Sequence, residues 1–249
     1  MLEQDLQIAM PGGTADAVLF FPDASTPLPG VLHLPDIAGI RESHRSMARR
    51  LSAEGYAVLL VNIFYRTSRP PVFDFPRVSG DERTMQRMSE LVTPLTPEAQ
   101  QQDAAAYIDF LTAQPTVRPG PIGVVGYCFS GALALRAAAT RPAQVAAAAS
   151  FHGGGLYKAD TPASPHLVLP QVTGRLYFGH AVDDKSMNAE AIESLENALA
   201  GWGGRYENET YEGARHGWTV PDNPAFNPVQ ADRAFGKLTE LFSATLGSI

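Results

Sequence analysis

Short apolar runs separated by amphipathic stretches set the outline of this chain. Residues 17–21, 31–34, 57–61, 122–125 and 145–151 are apolar over the length of one strand each. Near-continuous runs of this kind belong to strands covered on both faces of a sheet. Residues 174–179 read as a further strand, and 206–211 as one with alternating character. Helical spacing fills the gaps. Over 42–53, Met47 and Leu51 share a face and Gly55 stands just past the end. Pro97-Glu98 opens a helix to residue 111, with Ala104, Ile108 and Leu111 on one side, and 132–140, 189–199 and 231–246 complete the set. Strands alternating with helices predict an α/β fold with a mostly parallel central sheet and helices on both faces. Residues 66–96 break the pattern. They are rich in proline and charge, with one helical piece near 82–91. A stretch this long inside a compact domain is expected to form a cap or binding loop.

The 249 residues are 45% hydrophobic, enough for the core of a single α/β domain spanning 1–249. No repeat or linker-like tract divides them. The net charge of −7 argues against a nucleic-acid partner. A single cysteine excludes an internal disulfide and a cysteine-based zinc site. Met1-Leu2-Glu3-Gln4-Asp5 lacks the basic region and apolar core of a signal peptide. No apolar run approaches the ~20 residues of a membrane span. A soluble, cytoplasmic protein with no membrane association is expected.

The chemistry centres on Gly126-Tyr127-Cys128-Phe129-Ser130-Gly131, between an apolar strand and an alanine-rich helix. Strand, tight glycine turn and helix are the setting of a nucleophile elbow, here with cysteine in the usual place of serine. Gly126 and Ser130 are small because neighbouring backbone must pass close to a strained turn. The Phe129 N–H, in the first turn of the helix, points to where an oxyanion would develop. A buried hydrophobic role is the alternative for a lone cysteine.

In an open parallel sheet, functional groups gather at the carboxyl ends of the strands. Asp36, Cys128, the pair Asp183/Asp184 and His216 all fall there by this reading. Nucleophile, acid, histidine is the chain order of the α/β-hydrolases. A thiol needs a base, and the base needs a carboxylate to fix its tautomer and stabilise its cation. His33 lies within a strand, and His44 and His166 sit away from strand ends. His152 and His180 follow strands and compete with His216. His216 is preferred as the last, set between Gly213 and Gly217. One aspartate of the pair is expected to cap the helix that begins at 189.

These motifs, with Ala181-Val182-Asp183-Asp184-Lys185-Ser186-Met187 and Gly213-Ala214-Arg215-His216-Gly217, resemble the dienelactone hydrolase family over nearly the whole chain. The resemblance implies an α/β-hydrolase fold and hydrolysis of a small-molecule carboxylic ester or lactone, with no metal or organic cofactor. It favours Asp184 as the acid and leaves Asp183 open. Family members carry a carboxylate, usually glutamate, in the loop of Asp36, where it assists deprotonation of the thiol. Asp36 is one methylene shorter, so it either reaches the thiol or ties down its own loop. The same loop implies Ile37 as the second oxyanion N–H. Arg66 matches a family arginine that holds an anionic substrate. The second such arginine is replaced by Trp218-Thr219-Val220, which implies a less acidic or bulkier substrate, with Trp218 lining an apolar pocket or belonging to the core. A thioesterase, a cysteine peptidase and a non-catalytic ligand-binding relative are the competing readings. A monomer or small homo-oligomer is expected.

Overall fold

The computed structural model describes residues 1–247. Eight strands form one sheet in the order β1-β2-β4-β3-β5-β6-β7-β8. They are β1 (Leu2–Met10), β2 (Gly13–Phe21), β3 (Gly30–Leu34), β4 (Ala57–Val61), β5 (Ile122–Tyr127), β6 (Val145–Phe151), β7 (Arg175–Ala181) and β8 (Tyr206–Tyr211). β1/β2 and β2/β4 pair antiparallel, and every later pair is parallel. The helices are α1 (Glu42–Ala53), α2 (Glu82–Val92), α3 (Pro97–Thr112), α4 (Phe129–Thr140), α5 (Ala189–Trp202) and α6 (Pro228–Leu246). This is the α/β-hydrolase architecture. No helix is long and apolar enough to cross a membrane among the described residues.

Two apolar clusters sandwich the sheet. One unites Tyr107, Ile108 and Leu111 of α3 with Ala134 of α4 and Leu195 of α5. The other packs Ala48 and Leu51 of α1 against Leu238 and Phe242 of α6. β5 lies between β3 and β6 and is buried along its whole length. Covered on both faces, it has no solvent side to mark with polar residues, which is why it reads as an unbroken apolar run.

β1 departs from the expected outline. It is a nine-residue edge strand whose first residues are exposed, so its apolar positions are diluted by Glu3, Gln4 and Asp5. Glu3 and Asp5 pair with Arg45 and Arg49 on α1. Charge on an edge strand limits pairing with other chains. Pro11-Gly12 turns the chain into β2, which begins four residues before the apolar run does. α4 begins at Phe129, directly after the cysteine, and α6 begins at Pro228 behind the N-cap Asn227.

Candidate active site

Cys128 occupies φ 57°, ψ −121°, a conformation that strains a residue with a Cβ by roughly 1–3 kcal/mol. Its surroundings enforce it. A side chain at Gly126 would collide with the Ser130 carbonyl, and one at Gly131 would approach the Gly153 Cα to 2.7 Å. The Cys128 N–H donates to the Phe151 carbonyl at 3.1 Å, and its carbonyl accepts from Gly154 N–H at 3.2 Å. Ser130 is more than small. Its hydroxyl accepts from Tyr127 N–H at 2.8 Å and donates to the Leu34 carbonyl at 2.7 Å. That second bond ties the elbow to the end of β3.

The loop after β8 carries His216 to the thiol, with Nε2 3.0 Å from Cys128 Sγ. Its Nδ1 lies 2.6 Å from Asp184 Oδ2. The other Asp184 oxygen accepts from the Ser186 N–H at 2.8 Å and from its hydroxyl at 2.6 Å. Burial disfavours the His216 cation, but Asp184 and the Cys128 sulfur outweigh it and push the imidazole up to about 10. Burial likewise opposes the Asp184 charge, and the bonds from His216 and Ser186 overcome it, holding this carboxyl below its usual range. Asp183 is exposed and forms no hydrogen bond with His216. Neither aspartate caps α5; Asn188 does, accepting from Ala191 N–H at 2.9 Å.

The competing histidines are engaged elsewhere. His152 Nε2 lies 2.8 Å from Thr219 Oγ1, with its ring 5.2 Å behind that of His216. His180 lies in β7 and bonds Asn208 at 2.7 Å. Ser186 is the contributor that sequence reasoning passed over. Its signal was the Asp-x-Ser spacing, which lets an aspartate accept from the N–H two residues on.

Ile37 and Phe129 both line the cavity that holds Cys128 and His216, about 680 Å³ in volume. Neither backbone N–H donates to a protein acceptor among the described residues, so both are free for a ligand oxygen. Among the described residues no cluster of carboxylates, histidines or cysteines is placed to hold a metal ion.

The geometry decides the two readings left open for Asp36 and Trp218 and departs from the one expected for Arg66. Asp36 does not bond the thiol. Its Oδ1 accepts from Ala38 N–H at 2.9 Å and from Arg41 at 2.7 Å, and its Oδ2 accepts from Arg41 at 2.8 Å. Burial opposes its charge, but His44 and Arg41 more than compensate, keeping the carboxyl far below its usual range. Arg41 continues to Asp222. Arg66 turns away from the cavity to Asp103 of α3, which also accepts from Tyr65 Oη at 2.7 Å. A nearly buried carboxylate demands a cation, and Arg66 is within reach. Trp218 is fully buried, packed on Tyr211 at 4.9 Å and His152 at 5.0 Å. It supports the histidine loop from behind and lines no pocket with Cys128. The cations that do line the cavity are Arg136 and Lys158, neither of which stands in a motif.

Comparison with known proteins agrees with the geometry. The model of the dienelactone hydrolase family matches residues 15–246. A carboxymethylenebutenolidase of Rhodococcus opacus is 28% identical over 199 residues, covering 78% of this chain and 73% of its own. A dienelactone hydrolase structure from Anabaena variabilis superposes with a TM-score of 0.72 at 19% identity, covering 99% of both chains. A dienelactone hydrolase-like promiscuous phosphotriesterase from metagenomic libraries superposes at 0.79 with 21% identity, over 99% of this chain and 100% of that one. With a family match over nearly its full length and relatives named as lactone hydrolases, the chain belongs to the dienelactone hydrolase family, carboxylic ester hydrolases of the α/β-hydrolase fold.

Proposed function

We propose that the protein hydrolyses a carboxylic ester or lactone through a covalent acyl-cysteine intermediate on Cys128. The observation that carries this reading is the continuous line from Asp184 through His216 to the sulfur, with gaps of 2.6 and 3.0 Å, opening into a ligand-sized cavity. His216 takes the thiol proton, and Asp184 holds the imidazole in the tautomer that presents Nε2 to sulfur. The sulfur adds to the ester carbonyl. The Ile37 and Phe129 N–H groups receive the developing oxyanion. His216 then returns the proton to the leaving oxygen. Water, activated by the same imidazole, attacks the thioester and releases the acid and the free thiol.

Asp36 takes no part in the proton transfer. It acts one step removed, fixing the loop that presents the Ile37 N–H. Similarity to the Rhodococcus opacus carboxymethylenebutenolidase supports a lactone as one substrate class.

The test is mass spectrometry of the protein quenched during turnover of p-nitrophenyl acetate. A single acetyl adduct on Cys128, with a burst of p-nitrophenol equal to the enzyme present, is expected. Cys128→Ala should give neither. Undiminished hydrolysis by that variant would overturn the covalent scheme.

A further inference from the structure

The wall of the cavity beyond the thiol is built by one stripe of α4. Phe129, Ala132, Leu133 and Arg136 follow at i, i+3, i+4 and i+7 and all line it. Lys158 faces the same space. No carboxylate lines the cavity, although acids outnumber bases 26 to 19 in the chain. Two cations with no acid run against that composition.

Arg136 is also short of partners. It is half-buried, and its guanidinium makes one protein hydrogen bond, from Nη2 to the Ala163 carbonyl. Among the described residues it forms no ion pair, whereas Arg41, Arg66 and Arg141 each face a carboxylate. Burial lowers its basicity, with only the field of Glu98 acting against that. A partly desolvated guanidinium with open donors is costly unless an anion arrives to satisfy it.

We propose that Arg136, assisted by Lys158, is an anion subsite at the far end of the cavity, selecting esters or lactones that carry a carboxylate on an apolar arm. This rests on Cys128 being the nucleophile. Seven residues of helix separate Phe129 from Arg136, about 10 Å of axial rise. The arginine side chain leans back toward the helix N-terminus, so the carboxylate binds on the order of 5–10 Å from the sulfur. Ala132 and Leu133 lie between and receive the arm. Arginine suits the task because its planar fork grips both oxygens of a carboxylate. The subsite replaces what Arg66 was expected to do, in a new place and for a longer substrate.

The test compares p-nitrophenyl monoesters of adipic and suberic acid with their methyl-capped counterparts. A parallel pair, acetate esters of 4-hydroxyphenylpropionic acid and of its methyl ester, puts the charge on the leaving-group side. The readout is the ratio of kcat/KM for the acidic over the capped member. Wild type should favour the acid in one of the two series, acyl side or leaving-group side, chiefly through KM, and the preference should weaken with salt. Arg136→Gln should lower that ratio about 10- to 100-fold. Arg136→Lys, which keeps the charge and loses the fork, should fall between them. A ratio untouched by Arg136→Gln in both series, or a wild-type preference for the capped esters, overturns the subsite.

Binding separates this outcome from failure of the hydrolase reading. Suberate should protect Cys128 from iodoacetamide in wild type and not in Arg136→Gln. If no ester is hydrolysed at all, the hydrolase reading falls and protection alone decides the subsite. Equal protection of both proteins, or of neither, overturns it.

Discussion

Replacing Asp36 by asparagine distinguishes a residue that moves the thiol's proton from one that holds a loop. The side chain is 5% exposed and binds Arg41 through both oxygens, while Oδ1 also receives the Ala38 N–H. Breaking a buried ion pair by removing one partner costs about 3–5 kcal/mol. Two features reduce that here. Arg41 keeps Asp222, and asparagine retains an acceptor for Ala38. A net loss of about 2 kcal/mol is expected, or a Tm lowered by roughly 4–8 °C in a chain of this size. The folded carboxyl lies far below its ordinary value of 3.8. Its stabilisation is therefore fully present above that value and is lost as pH falls toward the folded pKa. Urea unfolding of wild type and Asp36→Asn should differ fully at pH 7, and the gap should begin to close only below about pH 4. Iodoacetamide labelling of Cys128 should keep its pH profile in the variant, because Asp36 makes no bond to the sulfur. Turnover should fall by about tenfold, less than the roughly 10²–10³ for outright loss of an oxyanion donor, as the Ile37 N–H is displaced and not removed. An unchanged urea midpoint together with a shifted labelling profile would refute this reasoning and return Asp36 to the thiol.

Asp184→Asn removes the carboxylate that raises His216, so the imidazole titration followed by NMR should move down from about 10, and kcat should drop on the order of 10³–10⁴. Ser130→Ala deprives the Tyr127 N–H and the Leu34 carbonyl of their partner. A loss of about 1–3 kcal/mol in urea unfolding is expected, with a fall in kcat larger than any change in KM.

How much of this was legible in the chain depends on how local the determinant is. The elbow could be read because its requirements are short-range. Gly126 is small on account of a carbonyl four residues on, and α4 must start at once to present the Phe129 N–H. His216 and Asp184 could be read because parallel topology delivers the loops after β7 and β8 to the same edge as β5. Arg66 could not be placed, because its direction is set by Asp103, on a helix that arrives 37 residues later. The choice between pocket and core for Trp218 stayed open for a related reason. Position close to His216 does not say which side of the loop faces the core, and the Tyr211 and His152 rings decide that. β1 escaped notice because an edge strand shows one apolar face and no continuous run. Arg136 was invisible for the opposite reason to Arg66. What distinguishes it is a missing carboxylate, and an absence has no motif.

The two proposed oxyanion donors come from segments more than ninety residues apart, yet a developing oxyanion tolerates errors of only about 0.5 Å in their spacing. Neither donor can set that spacing alone. Phe129 is fixed by the elbow, whose strain at Cys128 is held by Gly154 and Phe151 on the β6 side. Ile37 is fixed by Asp36, through Arg41 and the Ala38 N–H. Ser130 joins the two systems, since its hydroxyl bonds the Leu34 carbonyl three residues before Ile37. Strand pairing of β3 with β5 ends at Leu34 opposite Gly126, so beyond that point the ladder no longer sets the distance. The hydroxyl takes over where the ladder stops. Serine is thus favoured over alanine at this position for its bond as well as its size, and the dependence of kcat on that hydroxyl should exceed what loss of stability alone explains.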